Sequence, residues 1–82
     1  MNAIVNTIDM ELDARGLNCP LPILRAKKSM NELSNGQVIR ITATDPGSVK
    51  DFESFCKQTG NELVETAESN GEFVFVIRKP AA

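Results

Sequence analysis

The chain has 82 residues, of which 41% are hydrophobic, and this is enough for one small globular domain. It contains no histidine, which excludes histidine-based general base catalysis, a cysteine–histidine dyad and histidine metal ligation. A net charge of −2 and the absence of tryptophan and tyrosine argue against binding to nucleic acid or to an anionic membrane.

The first half of the chain predicts a strand and then a helix. Residues 8–13 alternate strictly between apolar and acidic side chains, as in a strand with one buried face. Pro20 suits the first position of the helix that follows, and Pro22 suits its first turn. Gly36 is expected just after the end of this helix. The apolar residues that recur at helical spacing are Ile23, Ala26, Met30 and Leu33.

The middle of the chain predicts a second strand and a second helix. Residues 37–44 have the alternation of a strand, and Asp45 and Pro46 have the residue types of a helix N-cap and first helical position. Gly60 is expected to end this helix. The side chains expected to face the core from it are Val49, Phe52, Phe55, Cys56 and Thr59.

Two further strands, residues 62–68 and 73–79, flank an Asn-Gly pair that is a strong hairpin signal. The resulting order, βαβαββ, predicts an α+β two-layer sandwich with a mixed four-stranded sheet ordered 1-2-4-3 and both helices on one face. The last strand is expected inside the sheet and the glutamate-rich third strand at its edge. Val74 and Val76 are expected to form a modest exposed patch on the open face of the sheet.

The domain is predicted to span residues 1–82, with its core at about 8–79. Both helices should begin at the same end of the sheet, since each follows the carboxyl end of a strand. Cys19 and the loop at residues 44–48 are therefore expected to share one surface.

The cysteine content indicates a reducing compartment. The chain has two cysteines 37 positions apart, which predicts free thiols rather than a structural disulfide. The first ten residues lack the charged start and apolar core of a signal peptide, and no apolar run approaches a membrane span. We therefore expect a cytoplasmic protein with no membrane partner.

Cys19 lies next to the predicted start of the first helix, where unpaired N–H groups and the helix dipole favour an anion. We expect this position to lower the pKa of its thiol below the usual value of about 8.5, with help from Arg15 and Arg25. Pro20 and Pro22 would stiffen the turn that surrounds the sulfur. The alternative is a cysteine that merely marks a helix boundary.

Cys56 is interpreted as a small buried hydrophobic residue, and the alternative is a resolving thiol that pairs with Cys19. The absence of a C-x-x-C motif excludes thioredoxin-like dithiol exchange, and two cysteines without histidine argue against a zinc site. No metal and no cofactor are expected. A lone reactive thiolate can still accept a group and pass it on, for example sulfane sulfur held as a persulfide.

Residues 12–30, LDARGLNCPLPILRAKKSM, resemble the signature of the TusA/SirA-like sulfur carrier proteins. The C-P-x-P motif of that family stands at residues 19–22, after an acidic-x-x-Gly stretch that begins at Asp13. Residues 43–65 resemble the second block of the family. The similarity extends from about residue 8 to residue 79.

This resemblance implies the two-layer sandwich of the family and a role for Cys19 as the persulfide carrier. The expected partners are a sulfur donor, either a cysteine desulfurase or a rhodanese, and a sulfur acceptor that is DsrE-like or another thiol carrier. The chemistry implied is persulfide transfer by a monomer rather than multi-turnover small-molecule catalysis. It would serve tRNA thiolation, molybdenum cofactor synthesis or sulfur oxidation. The residues predicted to support Cys19 are Pro20, Pro22, Arg15 and Asp45.

A basic group follows the cysteine on the first helix and consists of Arg25, Lys27 and Lys28. We interpret these residues as a docking surface for partner proteins, with an ordinary solvated helix face as the alternative. Two other functions stay open at this point, a small RNA-binding module and a thiol redox sensor, although no direct nucleic-acid partner is expected.

Overall fold

The computed structural model describes residues 8–80 and contains the six predicted elements in the predicted order. They are β1 (Met10–Ala14), α1 (Leu21–Asn31), β2 (Val38–Ala43), α2 (Ser48–Thr59), β3 (Glu62–Ser69) and β4 (Glu72–Arg78). Most of the stretch inspected for a signal peptide lies outside the described residues. Within them, no helix has the length and apolar character needed to cross a membrane.

The four strands form one sheet in the predicted order β1-β2-β4-β3. β1 pairs with β2 in parallel, and β4 pairs antiparallel with both β2 and β3. β4 therefore lies inside the sheet and β3 at its edge, as predicted. The hairpin between them turns at Asn70 and Gly71, whose φ angles of 53° and 81° are both positive, as a two-residue turn requires.

The two helices pack on one face of the sheet and enclose the core. Ile41 of β2 stands opposite Phe75 of β4, and both side chains are buried against the helices. Phe52 of α2 stacks on Phe75 with ring centroids 4.6 Å apart. The other members of the core cluster are Ala14, Ala26, Met30, Leu33, Ile39, Ala43, Phe55, Cys56 and Ile77. The predicted two-layer α+β sandwich is therefore confirmed.

Both helices begin later than predicted. α1 begins at Leu21, so Pro20 is its N-cap rather than its first residue. The assignment of Asp45 as the N-cap of α2 is wrong, because Gly47 holds that position. The reason is a turn that precedes the helix, in which the Ser48 N–H donates to the Asp45 carbonyl at 2.9 Å. The carboxylate of Asp45 is free for other partners.

Two burial predictions fail. Val76 is only 5% exposed, and it therefore forms no exposed patch with the half-buried Val74. Its neighbours in register are Arg40 and Glu65, and long charged side chains cover apolar surface with their aliphatic stems. Thr59 is exposed rather than buried because it lies on the last turn of α2, where its hydroxyl donates to the carbonyl of Phe55 at 2.6 Å.

Candidate functional site

The loops that precede the two helices are joined by side-chain hydrogen bonds. Oδ2 of Asp45 accepts the backbone N–H of Cys19 at 2.7 Å, and Oδ1 accepts the N–H of Gly47 at 3.2 Å. Oγ1 of Thr44 accepts the N–H of Gly16 at 2.9 Å. The shared surface expected for Cys19 and the loop at residues 44–48 is therefore present, and Asp45 links its two sides.

Cys19 is exposed and lines a cavity of about 190 Å³ between α1 and α2. Two charged side chains share this cavity with the thiol, Asp51 from α2 and Lys27 from α1. Its other lining residues are Pro20, Ile23, Ser54, Phe55 and Gln58. The sulfur is thus accessible to another protein, and charged, polar and apolar side chains surround it in the cavity.

The expectation that the position of Cys19 lowers its pKa is wrong. Hydrogen bonding to the Asp51 carboxylate raises the pKa of the Cys19 thiol, and desolvation and the charges of Asp51 and Asp45 act in the same direction. The start of α1 does little to offset this rise in the pKa of Cys19. Cys19 precedes the N-cap Pro20, which has no N–H, and the next N–H, that of Leu21, already donates to the carbonyl of Asn18 at 2.8 Å.

The predicted help from arginine is also absent. The guanidinium of Arg15 pairs with Asp13 at 2.9 Å and with Glu72 at 3.5 Å. Side-chain and backbone hydrogen bonds from Arg15 lower the pKa of the Asp13 carboxyl to about 2. Arg15 therefore joins the end of β1 to the start of β4 rather than acting on the thiol. Arg25 is exposed on α1 and does not line the cavity of Cys19.

Only one residue of the predicted basic group and one of the two prolines line the cavity of Cys19. Lys27 lines the cavity, whereas the exposed side chains of Arg25 and Lys28 lie outside it. Pro20 contributes to the cavity wall beside the thiol. Pro22 is fully buried and fixes the first turn of α1 to the core.

Cys56 lies on the buried face of α2 and is 6% exposed, as the sequence predicts. Burial raises the pKa of its thiol to about 11. Both cysteines are free, and they differ in environment, since one is exposed and the other belongs to the core. Cys56 therefore lacks the accessibility and the acidity of a resolving thiol.

Sequence reasoning missed Asp51, whose carboxylate shifts the pKa of the Cys19 thiol, whereas the predicted arginines do not. It also missed Ser54 and Gln58, which follow on the same side of α2 and line the cavity. A signal for Asp51 was available. It is an acidic residue in the first turn of α2, and both helices begin at the same end of the sheet as Cys19.

The fold and the site together define a class of protein, the small α+β domains whose single exposed thiol stands at the start of a helix. The chain belongs to the TusA family, because the family model described as sulfurtransferase TusA matches residues 10–79. The resemblance noted in the sequence is therefore confirmed.

Named relatives agree with this assignment. The chain is 68% identical to the sulfur carrier protein TusA of Allochromatium vinosum over 71 residues, which cover 87% of this chain and 93% of that one. It is 38% identical to the sulfur carrier protein TusA of Pseudomonas aeruginosa over 78 residues, covering 95% and 99%. The crystal structure of a SirA-like protein from Desulfitobacterium hafniense superposes with a TM-score of 0.77 at 27% identity, covering 87% of this chain and 97% of that one.

Proposed function

We propose that this protein carries sulfane sulfur as a persulfide on Cys19 and passes it from a donor protein to an acceptor protein. The observation that carries the proposal is the placement of the two thiols. Cys19 is exposed at a cavity between the helices, and Cys56 is buried in the core. The relatives named sulfur carrier proteins support the same chemistry.

The proposed step is an exchange at sulfur. The sulfur atom of Cys19 attacks the terminal sulfur of a donor persulfide, a new S–S bond forms, and the S–S bond of the donor breaks. The thiol proton of Cys19 ends on the departing donor sulfur, so one persulfide and one thiol give one thiol and one persulfide. No net oxidation occurs. Delivery repeats the same exchange, with Cys19 as the departing thiol.

The predicted supporting residues have distinct proposed roles in this exchange. Asp45 positions the backbone of Cys19 through the hydrogen bond at 2.7 Å. Pro20 and Pro22 fix the turn that carries the thiol, one in the cavity wall and the other in the core. Arg15 stabilises the neighbouring loop through its two carboxylate partners.

The redox-sensor alternative is disfavoured by the surroundings of both cysteines. Sensor thiols are typically acidic and stand beside a resolving cysteine. The carboxylates beside Cys19 raise its pKa, and Cys56 is 6% exposed. The RNA-binding alternative is disfavoured by the net charge of −2 and by the lack of tryptophan and tyrosine.

We further propose a cysteine desulfurase or a rhodanese as the donor, and a DsrE-like protein or another thiol carrier as the acceptor. The relay would run in the cytoplasm, where thiols are kept reduced, and would serve tRNA thiolation, cofactor synthesis or sulfur oxidation. Arg25, Lys27 and Lys28 would meet acidic surfaces on these partners. The protein is proposed to act as a monomer.

Intact mass measurement after incubation with a persulfide donor tests the proposal. The natural protein should gain the mass of one sulfur atom, and a reducing agent should remove it. Cys19→Ser should gain none, whereas Cys56→Ala should load as the natural protein does. Sulfur that persists in Cys19→Ser, or that maps to Cys56, would contradict the proposal.

A further inference from the structure

A second cavity continues from the one that holds Cys19. The first has a volume of about 190 Å³ and the second about 350 Å³, and Lys27 and Phe55 line both. Together they form a groove between α1 and α2, called here the interhelical groove. The residues that define it are Cys19, Ile23, Lys27, Met30, Phe55 and Lys79.

The groove has an apolar floor and a definite order of charges along its length. Ile23, Met30 and Phe55 supply the floor. Asp51 stands beside the thiol at one end, and Lys27 follows at the point where the two cavities meet. The groove therefore has a negative charge next to the sulfur and positive charge farther away.

A second ammonium group marks the far end of the groove. The Nζ atom of Lys79 donates to the carbonyls of Met30 at 3.1 Å and Leu33 at 2.8 Å, at the end of α1. Both acceptors are neutral carbonyls, so these bonds fix the position of the ammonium group without neutralising its charge. Among residues 8–80, the ion pairs belong to arginines, so Lys27 also has no carboxylate partner.

The dimensions suit a short extended segment of polypeptide. α1 contains 11 residues and is therefore about 16 Å long. An extended chain rises about 3.3 Å per residue, so about five residues would follow the groove from end to end. Lys27 lies two helical turns beyond Pro20, about 10 Å along the axis, which corresponds to about three extended residues.

We propose that the interhelical groove binds an extended, acidic segment of the partner protein, with the reactive cysteine of the partner placed at the Cys19 end. Acidic side chains about three and five residues from that cysteine meet Lys27 and Lys79, and an apolar side chain between them lies on Met30 and Phe55. Asp51 disfavours an acidic residue directly beside the cysteine. This inference rests on the proposed sulfur relay, since it describes the partner of the same thiol.

The test uses two synthetic six-residue peptides of identical composition, each beginning with a cysteine that carries a persulfide. One peptide has glutamates at the third and fifth positions after the cysteine, and the other has both glutamates directly after it. Sulfur transfer from each peptide is followed by mass spectrometry for the natural protein, Lys27→Glu and Lys57→Glu. Lys57 is the matched control, because it is an exposed lysine on the other helix of the groove, α2, and lines neither cavity.

The first peptide should load the natural protein faster than the second. Lys27→Glu should slow loading from the first peptide by about fivefold, the effect of roughly 1 kcal/mol at an exposed charge pair, and Lys57→Glu should slow it by less than about twofold. Equal rates for Lys27→Glu and Lys57→Glu, or equal rates for the two peptides, would overturn the inference.

Inorganic polysulfide separates this inference from the proposed function, because it needs no groove. The natural protein and Lys57→Glu should load from polysulfide at similar rates. If they do so and the peptide rates show no dependence on Lys27, the groove proposal alone fails. If the natural protein takes sulfur neither from polysulfide nor from the persulfide donor, the proposed function fails and this inference fails with it. Dimers in sedimentation that Lys27→Glu abolishes would assign the groove to a second copy and would also overturn it.

Discussion

At the scale of single residues, the most informative feature is the pair of carboxylates beside Cys19. Both Asp51 and Asp45 raise the pKa of the thiol, so most of it is protonated at neutral pH. The thiolate is the nucleophile in alkylation and oxidation. The free protein is therefore expected to react slowly with small electrophiles.

Replacement of Asp51 tests this arrangement. Asp51→Asn removes the negative charge nearest the thiol, which lowers the pKa of Cys19 and raises its thiolate fraction. Alkylation by iodoacetamide at pH 8 should therefore accelerate by roughly two- to fivefold. In the natural protein, the midpoint of the alkylation rate against pH should lie above the ordinary thiol range, which runs from about 8.5 to 9.0.

Glu53→Gln supplies the control for this measurement, because Glu53 is exposed on the same helix and does not line the cavity. Its alkylation rate should equal that of the natural protein. A slower rate in Asp51→Asn would show that the carboxylate activates the thiol, which is the opposite of the effect described here.

At the scale of secondary-structure elements, Asp45 holds the starts of the two helices together. One of its carboxylate oxygens accepts the N–H of Cys19 at 2.7 Å, and the other accepts the N–H of Gly47 at 3.2 Å. Neither helix has a side-chain N-cap of its own. The relative position of the thiol and the wall of its cavity therefore depends on Asp45, together with the bond between Gly16 and Thr44.

Substitutions of Asp45 should reduce stability in a defined order. Asp45→Ala removes both acceptors and should lower the free energy of unfolding by about 1–2 kcal/mol, while Asp45→Asn keeps one oxygen and should lose about half as much. Urea denaturation measures both. Asp51→Asn removes a similar charge without a backbone hydrogen bond, so a comparable loss in that variant would show that charge rather than hydrogen bonding is responsible.

The elements themselves were predictable from sequence, whereas the contacts between their ends were not. The alternation in residues 8–13 and the pair Asn70-Gly71 report local geometry, and each gave the correct element. The bond from Cys19 to Asp45 joins residues 26 positions apart, and Asp51 reaches the thiol from a different helix. Periodicity predicts which face a residue occupies but contains no distances across such loops, so the sign of the pKa shift at Cys19 was predicted wrongly.

At the scale of the whole molecule, stability and titration are linked through the buried thiol. Cys56 belongs to the core cluster, and burial raises its pKa from an ordinary value of 9.0 to about 11. Below pH 9 the thiol is protonated in both the folded and the unfolded chain. Between pH 9 and 11 the unfolded chain loses this proton first, so the free energy of unfolding falls as pH rises.

The fall due to Cys56 should reach the order of 2 kcal/mol by pH 11. Urea denaturation at pH 8 and at pH 10.5 should show a larger decrease in the natural protein than in Cys56→Ala, which lacks the group. Cys19→Ser should keep most of the decrease, because it retains the buried thiol. Identical pH dependence in the natural protein and Cys56→Ala would show that Cys56 ionises equally easily in the folded and unfolded chain.

The position of β4 between β2 and β3 has a consequence for synthesis on the ribosome. β4, one of the two interior strands of the sheet, is the last of the six elements to emerge, and α2 packs on β3 and β4. A nascent chain that ends at residue 71 leaves β2 with one unpaired edge and β3 with no neighbour. Cys19 is translated early. The opposite wall of its cavity belongs to α2, and α2 can pack on β4 only after Glu72–Arg78 has left the exit tunnel.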